Sequence, residues 1–202
     1  MHSLKLIAGL GNPGRKHERD RHNVGFWFVS RLAAGERTEL KSVARYHGLL
    51  GKLARASGEL WLLLPQTYMN LSGQAVAKAL KDLSLAPQQM WVVHDELDLP
   101  LCRMRIRRGG SGAGHNGVLS LISSLGTADF FRFRVGIGKP ARKGSPAGRH
   151  YVLGRFTRAE AARLPKIVDG VAGSLELALE SGIERAMEKY NRPDALGCEE
   201  LP

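Results

Sequence analysis

The sequence predicts an α/β fold: one domain built on a twisted, mixed β-sheet flanked by helices. Three observations carry that reading. Short apolar runs with strand character alternate along the chain with segments of helical periodicity, the order that lays helices over a sheet. A chain of 202 residues suits one substantial core, and neither a repeat nor a second domain boundary divides it. Polar residues collect just after the apolar strands, where open α/β sheets place their ligands.

The first strand is the apolar run at 4–8, and "GLGNPGRKHERDRHNVG" follows it. Gly9, Gly11 and Gly14 make a literal G-x-G-x-x-G, the pattern of a dinucleotide-binding turn. That turn needs its third glycine inside a helix with a buried stripe, and residues 15–21 hold no apolar position. Apolar spacing resumes at Val24, Trp27, Phe28 and Leu32, an amphipathic helix with Asn23 as its expected cap. The glycines therefore read as a sharp turn that displays Asn12 and His22 at a strand end.

Short β-like stretches follow at 43–48 and 49–56, then an apolar strand at 60–64 closed by Pro65. A helix from Ser72 carries Ala75, Val76, Ala79, Leu80 and Leu83 on one face, and Pro87 ends that region. Residues 90–93 read as a buried strand and 102–107 as a half-buried one. The glycine-rich "GGSGAGHNG" leads into a helix with Val118, Leu121, Ile122 and Leu125, and 131–137 is the last strand. Thr157 and Glu160 form a capping box expected to open a long helix through Leu164, Ile167, Val168, Val171 and Leu175. Residues 181–191 extend or repeat it. The expected organisation is one catalytic α/β domain over 1–191 and a loose C-terminal tail over 192–202.

Composition narrows the function. A hydrophobic content of 43% and a charged content of 24% are those of an ordinary globular protein, with no apolar run long enough to span a membrane. Nothing at the start reads as a signal peptide, so the expected location is the cytoplasm. Two distant cysteines, Cys102 and Cys198, support neither a disulfide framework nor a zinc site. A net charge of +11 favours a polyanionic partner, nucleic acid first. The basic residues concentrate at 103–108 and 132–155 while the last thirty residues are near neutral or acidic, which describes a basic face.

Four polar clusters sit at strand ends: Asn12, "QTYMN" (66–70), "HDELDLP" (94–100) and "GHNG" (114–117), with His22 on the same side. His22, His94 and His115 with nearby carboxylates raise a metal site, but no metal-ligand spacing on one helix supports it. A carboxylate that orients one imidazole nitrogen, leaving the other to deprotonate water, fits better. Asparagine amides suit the stabilisation of an oxyanion, and no serine elbow or reactive cysteine competes as nucleophile.

"GLGNPG…RHNVG", "PQTYMNLSG", "HDELDLP", "GGSGAGHNG", "FRVGIGKP" and "YVLGRF" occur in the order and spacing of bacterial-type peptidyl-tRNA hydrolase, and the resemblance covers about residues 4–190. It implies a monomeric, metal- and cofactor-free esterase that cleaves the peptide from the 3′ end of tRNA. By resemblance His22 is the catalytic base, Asp95 orients it, and Asn12 helps distinguish an N-blocked amine. Asn70 and Asn116 match substrate-binding amides, and His17, Tyr68, Met69 and His115 the surroundings of the 3′ end. Arg105 and Arg107 fall where the family grips a tRNA phosphate; Arg134, with Lys139, Arg142 and Lys143, would extend that face. His17 stands where the family usually has Tyr, and Asp20 where it usually has Thr. A non-catalytic RNA-binding protein on this scaffold, a dinucleotide-dependent enzyme and a metal-dependent hydrolase are the rival readings, in that order.

Overall fold

The computed structural model describes residues 4–55, 58–139 and 148–198. Seven strands form one sheet: β1 (Leu6–Gly9), β2 (Lys41–Val43), β3 (Gly48–Arg55), β4 (Gly58–Pro65), β5 (Met90–Glu96), β6 (Met104–Arg108) and β7 (Phe131–Gly136), in the order β2-β3-β4-β1-β5-β7-β6. The central strands β4, β1, β5 and β7 are mutually parallel, and antiparallel partners close both edges. The expected mixed sheet is therefore found. It has a physical origin: the parallel strands are buried on both faces, whereas β2 and β6 alternate or expose their side chains as edge strands do.

Helices α1 (Val24–Gly35), α6 (Leu164–Ser181) and α7 (Ile183–Tyr190) cover one face, and α2 (Ser72–Asp82) and α3 (Asn116–Leu125) the other. Strand alternation divides the core accordingly. Ile7, Trp91 and Val93 join Phe28, Val171 and Leu175, while Leu6, Ala8, Met90 and Val92 join Val76, Leu80 and Leu121. Two short helices, α4 (Arg149–Val152) and α5 (Arg158–Ala161), connect β7 to α6.

The glycines of the opening motif serve packing. A Cβ on Gly9 would lie 2.4 Å from the Gly25 carbonyl oxygen, and one on Gly25 2.4 Å from that of Val93. The start of α1 thus rests directly on the ends of β1 and β5, which brings His22, one turn earlier, over the sheet edge.

Several expectations change. Residues 43–48 are mostly a 3₁₀ turn over Ala44–Tyr46, ended by His47 in the left-handed region, so β2 stops at Val43. The Thr157 capping box is present but opens only α5; α6 starts separately at Leu164, with Pro165 in its first turn, where the missing N–H costs nothing. The loose tail does not hold over 192–198. Leu196 is 6% exposed, stacks over Gly170 of α6, and carries Cys198 to within a Cα separation of 5.7 Å of Cys102, with which it forms a disulfide. Sequence spacing gave no hint of this pairing, because the two residues meet only through the return of the tail across α6.

Candidate active site

The carboxyl ends of β1, β4 and β5 open into a cleft of about 850 Å³ lined by residues from five segments. His22, Asp95 and Asn12 sit in it, with Tyr68, Met69, Asn70, His115, Asn116 and His17 around them. Every catalytic and substrate residue expected from the sequence is therefore brought to one place. Arg105, Arg107 and Arg134 are not part of the lining.

Asp95 is the penultimate residue of β5 and is 2% exposed. Its Oδ1 is 2.8 Å from His22 Nδ1 and 2.8 Å from His115 Nε2. His115 is the N-cap of α3, and its Nδ1 accepts from the Gly117 and Val118 backbone N–H groups at 3.1 and 3.3 Å. That nitrogen carries no proton, so Nε2–H donates to Asp95. The network then fixes His22 as well: its Nδ1–H donates to the same oxygen, and Nε2 is the nitrogen left for the cleft. Burial pushes the Asp95 carboxyl up, but His115 and His22 outweigh it and hold the group well below the usual carboxylate range.

A third imidazole completes the setting. His94 Nδ1 donates to the Asp95 carbonyl oxygen at 2.7 Å, and its ring meets that of His115 edge-on with centroids 4.7 Å apart. Burial, then the neighbouring His115, drives its pKa well below the usual histidine range, so it is neutral. His22, Asp95 and His115 present ligand atoms within 4.8 Å of one another. Both imidazole nitrogens there carry a proton toward one Asp95 oxygen, so a cation would first have to displace both bonds.

Asn12 is positioned by Asn23. Asn23 was expected to cap α1, yet it makes no capping bond. Its Oδ1 accepts from the Asn12 backbone N–H and its Nδ2 donates to the Asn12 carbonyl, both at 2.9 Å. Asn12 Oδ1 in turn accepts from the Met69 N–H at 2.8 Å, which leaves the Asn12 Nδ2 donors for a ligand. The adjacency of Asn23 to His22 was the one available signal. Tyr68, 58% exposed, and the exposed Asn70 and Asn116 stand at the mouth.

Three other placements differ from expectation. His115 lines the cleft, but both ring nitrogens are committed, so it supports Asp95 and is not a polar contact for substrate. Arg134 is paired through two nitrogens with Glu96 at 2.8 Å, and Lys139 with Asp98 at 2.8 Å. Arg105 and Arg107 are exposed and two apart on the edge strand β6, opposite Arg134 and Arg132 in register. Arg142 and Lys143 lie outside the described residues. Asp20 does not face His22; its Oδ2 lies 2.6 Å from His17 Nδ1.

A sequence model described as peptidyl-tRNA hydrolase matches residues 6–196. The chain belongs to the peptidyl-tRNA hydrolase family. It is 43% identical over 194 residues to the peptidyl-tRNA hydrolase of Pelobacter propionicus, covering 96% of this chain and 98% of that one. To that of Gloeobacter violaceus it is 44% identical over 188 residues, covering 93% and 94%. The crystal structure of the Acinetobacter baumannii peptidyl-tRNA hydrolase superposes with a TM-score of 0.86 at 36% identity, over 95% of this chain and 97% of that one. Family membership covers the whole cleft, from Asn12 to Leu153. Among the described residues no helix is long and apolar enough to cross a membrane.

Proposed function

We propose that this chain hydrolyses the ester between a peptide and the 3′ end of tRNA, with His22 as general base and no metal or cofactor in the reaction. The observation that carries the mechanism is the His22 Nδ1–Asp95 bond, which leaves Nε2 open to the cleft. A water at Nε2 loses its proton to His22 as it attacks the ester carbonyl. The Asp95 carboxylate stabilises the imidazolium that forms, and the proton then passes to the 3′ oxygen as it leaves. An asparagine amide steadies the tetrahedral oxyanion. Asn70 and Asn116 are the exposed candidates, and Asn12 Nδ2 is placed to bind the amide of an N-blocked substrate.

The basic face supports the same substrate. Arg105 and Arg107 have no ion-pair partner among the described residues and stand on one side of an edge strand, so two guanidiniums can share a phosphate. Arg134, held by Glu96, positions that strand pair and is a secondary contact. We further infer a monomeric, cytoplasmic enzyme that takes the acceptor end of the tRNA.

The test is release of free tRNA from N-acetyl-aminoacyl-tRNA, with unblocked aminoacyl-tRNA as control and with chelator present or absent. Selective, chelator-insensitive cleavage is the expected result. Binding of tRNA without cleavage would transfer the chain to the RNA-binding reading.

A further inference from the structure

Arg132 is a buried cation that the mechanism does not use. It lies near the start of β7 and is 4% exposed. Arg134, two residues on and on the same side of the strand, has the Glu96 carboxylate as its partner. Arg132 has no carboxylate partner among the described residues; its guanidinium fork closes on two main-chain oxygens instead. Nη1 donates to the Ser111 carbonyl at 2.7 Å, and Nη2 donates to the Gly109 carbonyl. Burial, then the neighbouring Arg134 and Arg107, lowers its pKa from the ordinary arginine value, so a charge stands there at a cost.

Both oxygens belong to the glycine-rich loop, whose backbone has little reason to hold one shape by itself. Gly109, Gly110, Ala113 and Gly114 have φ of 67°, 92°, 45° and 77°, and glycine loses more conformational freedom on being fixed than any other residue. The loop is tied at its two ends. Gly109 N–H donates to the Phe130 carbonyl at 3.0 Å, and His115 caps α3. Between them, among the described residues, the Arg132 bond to Ser111 is the only hydrogen bond that reaches the main chain of 110–114 from outside the loop. Gly110 is also pressed against this side chain: a Cβ there would lie 2.7 Å from Arg132 Nη2.

The loop carries part of the site. Ala113 and Gly114 line the cleft, His115 Nε2–H donates to Asp95, and Asn116 stands at the mouth. Arg132 itself is not part of the lining. We propose that Arg132 is a positioning residue for the hydrolysis: its fork on Gly109 and Ser111 sets the loop that brings His115 to Asp95 and Asn116 to the cleft, without touching RNA. This rests on the hydrolase reading above.

Two variants separate the fork from the charge. Arg132→Lys keeps the charge but cannot place donors at both nitrogen positions, whereas Arg132→Gln loses charge and fork together. Gly110 and Ser111 are exposed, so water reaches the freed part of the loop and the sheet stays folded, which urea unfolding checks. The readouts are the single-turnover rate on N-acetyl-aminoacyl-tRNA at saturating enzyme and the Kd for deacylated tRNA. The expected result is a saturating rate lower by about 10- to 100-fold in both variants, the size of a misplaced catalytic geometry, with Kd unchanged. Wild-type saturating rates in the folded variants overturn the proposal. So does a raised Kd in Arg132→Gln that Arg132→Lys restores, which is what a direct phosphate contact would give. Absence of cleavage by the wild type would instead refute the hydrolase reading itself.

Discussion

Replacing Asp95 by Asn separates the two services this carboxylate performs. One oxygen accepts from both His22 and His115, and His115 cannot reverse its tautomer without losing its bonds to the first turn of α3. The amide must therefore turn its oxygen to the Oδ1 position, because the opposite orientation would set an NH₂ against a fixed N–H donor. His22 keeps its tautomer and loses only the negative charge. Between an imidazolium and a carboxylate oxygen 2.8 Å away, Coulomb's law at an effective dielectric of about 20 gives about 6 kcal/mol. The ring charge is spread over two nitrogens and the proton is part-transferred in the transition state, so about half, about 3 kcal/mol, disappears from the barrier. That is about a hundredfold in rate. Single-turnover cleavage of N-acetyl-aminoacyl-tRNA by Asp95→Asn, with folding checked by circular dichroism, measures it. A rate within a few-fold of wild type would refute the ion-pair argument. A loss of about 10⁴-fold, the size seen when a triad aspartate is replaced and the imidazole takes the wrong tautomer, would refute the claim that His115 dictates the amide orientation.

Other consequences concern the supporting structure. Asn23→Ala strips the buried Asn12 backbone N–H and carbonyl of their partners, so a loss of about 1–3 kcal/mol in urea unfolding is expected, with KM raised through a misplaced Asn12. Cys198→Ser opens a link between positions 96 residues apart, for which chain entropy gives up to about 4–5 kcal/mol. Thermal unfolding with and without a dithiol should show that loss in the wild type and no effect of the dithiol in the variant. Asp95 is a group of depressed pKa, so its contribution to stability is present above the ordinary carboxylate range and is lost as pH falls through and below it. The urea-stability difference between wild type and Asp95→Asn should therefore shrink below about pH 4.

Much of the fold was legible because its signals are local. Apolar runs of four or five residues marked β1, β4 and β5, and the 3.6-residue spacing marked α1, α2, α3 and α6. The site was legible for a different reason: His22, Asp95, Asn12, Asn70 and Asn116 lie in motifs that a parallel sheet delivers to one edge. Nonlocal side-chain choices were not legible. Asn23 could equally cap a helix or hold Asn12, and only the approach of β1 to α1 decides it. His115 reads as a substrate contact until its position at the start of α3 shows both nitrogens engaged. Arg134 reads as a free cation until strand pairing puts Glu96 beside it. The tail reads as loose because Leu196 and Cys198 find their partners across the fold, in α6 and beyond β5, where no sequence period points.

The central claim is that His22 is the base in a water-mediated ester hydrolysis. The direct measurement is the single-turnover rate of His22→Ala on N-acetyl-aminoacyl-tRNA, beside its dissociation constant for the same RNA. The account predicts a rate lower by about 10²–10⁴-fold with RNA affinity unchanged, because Arg105 and Arg107 lie outside the cleft. An undiminished rate in a folded variant that still binds RNA would contradict it.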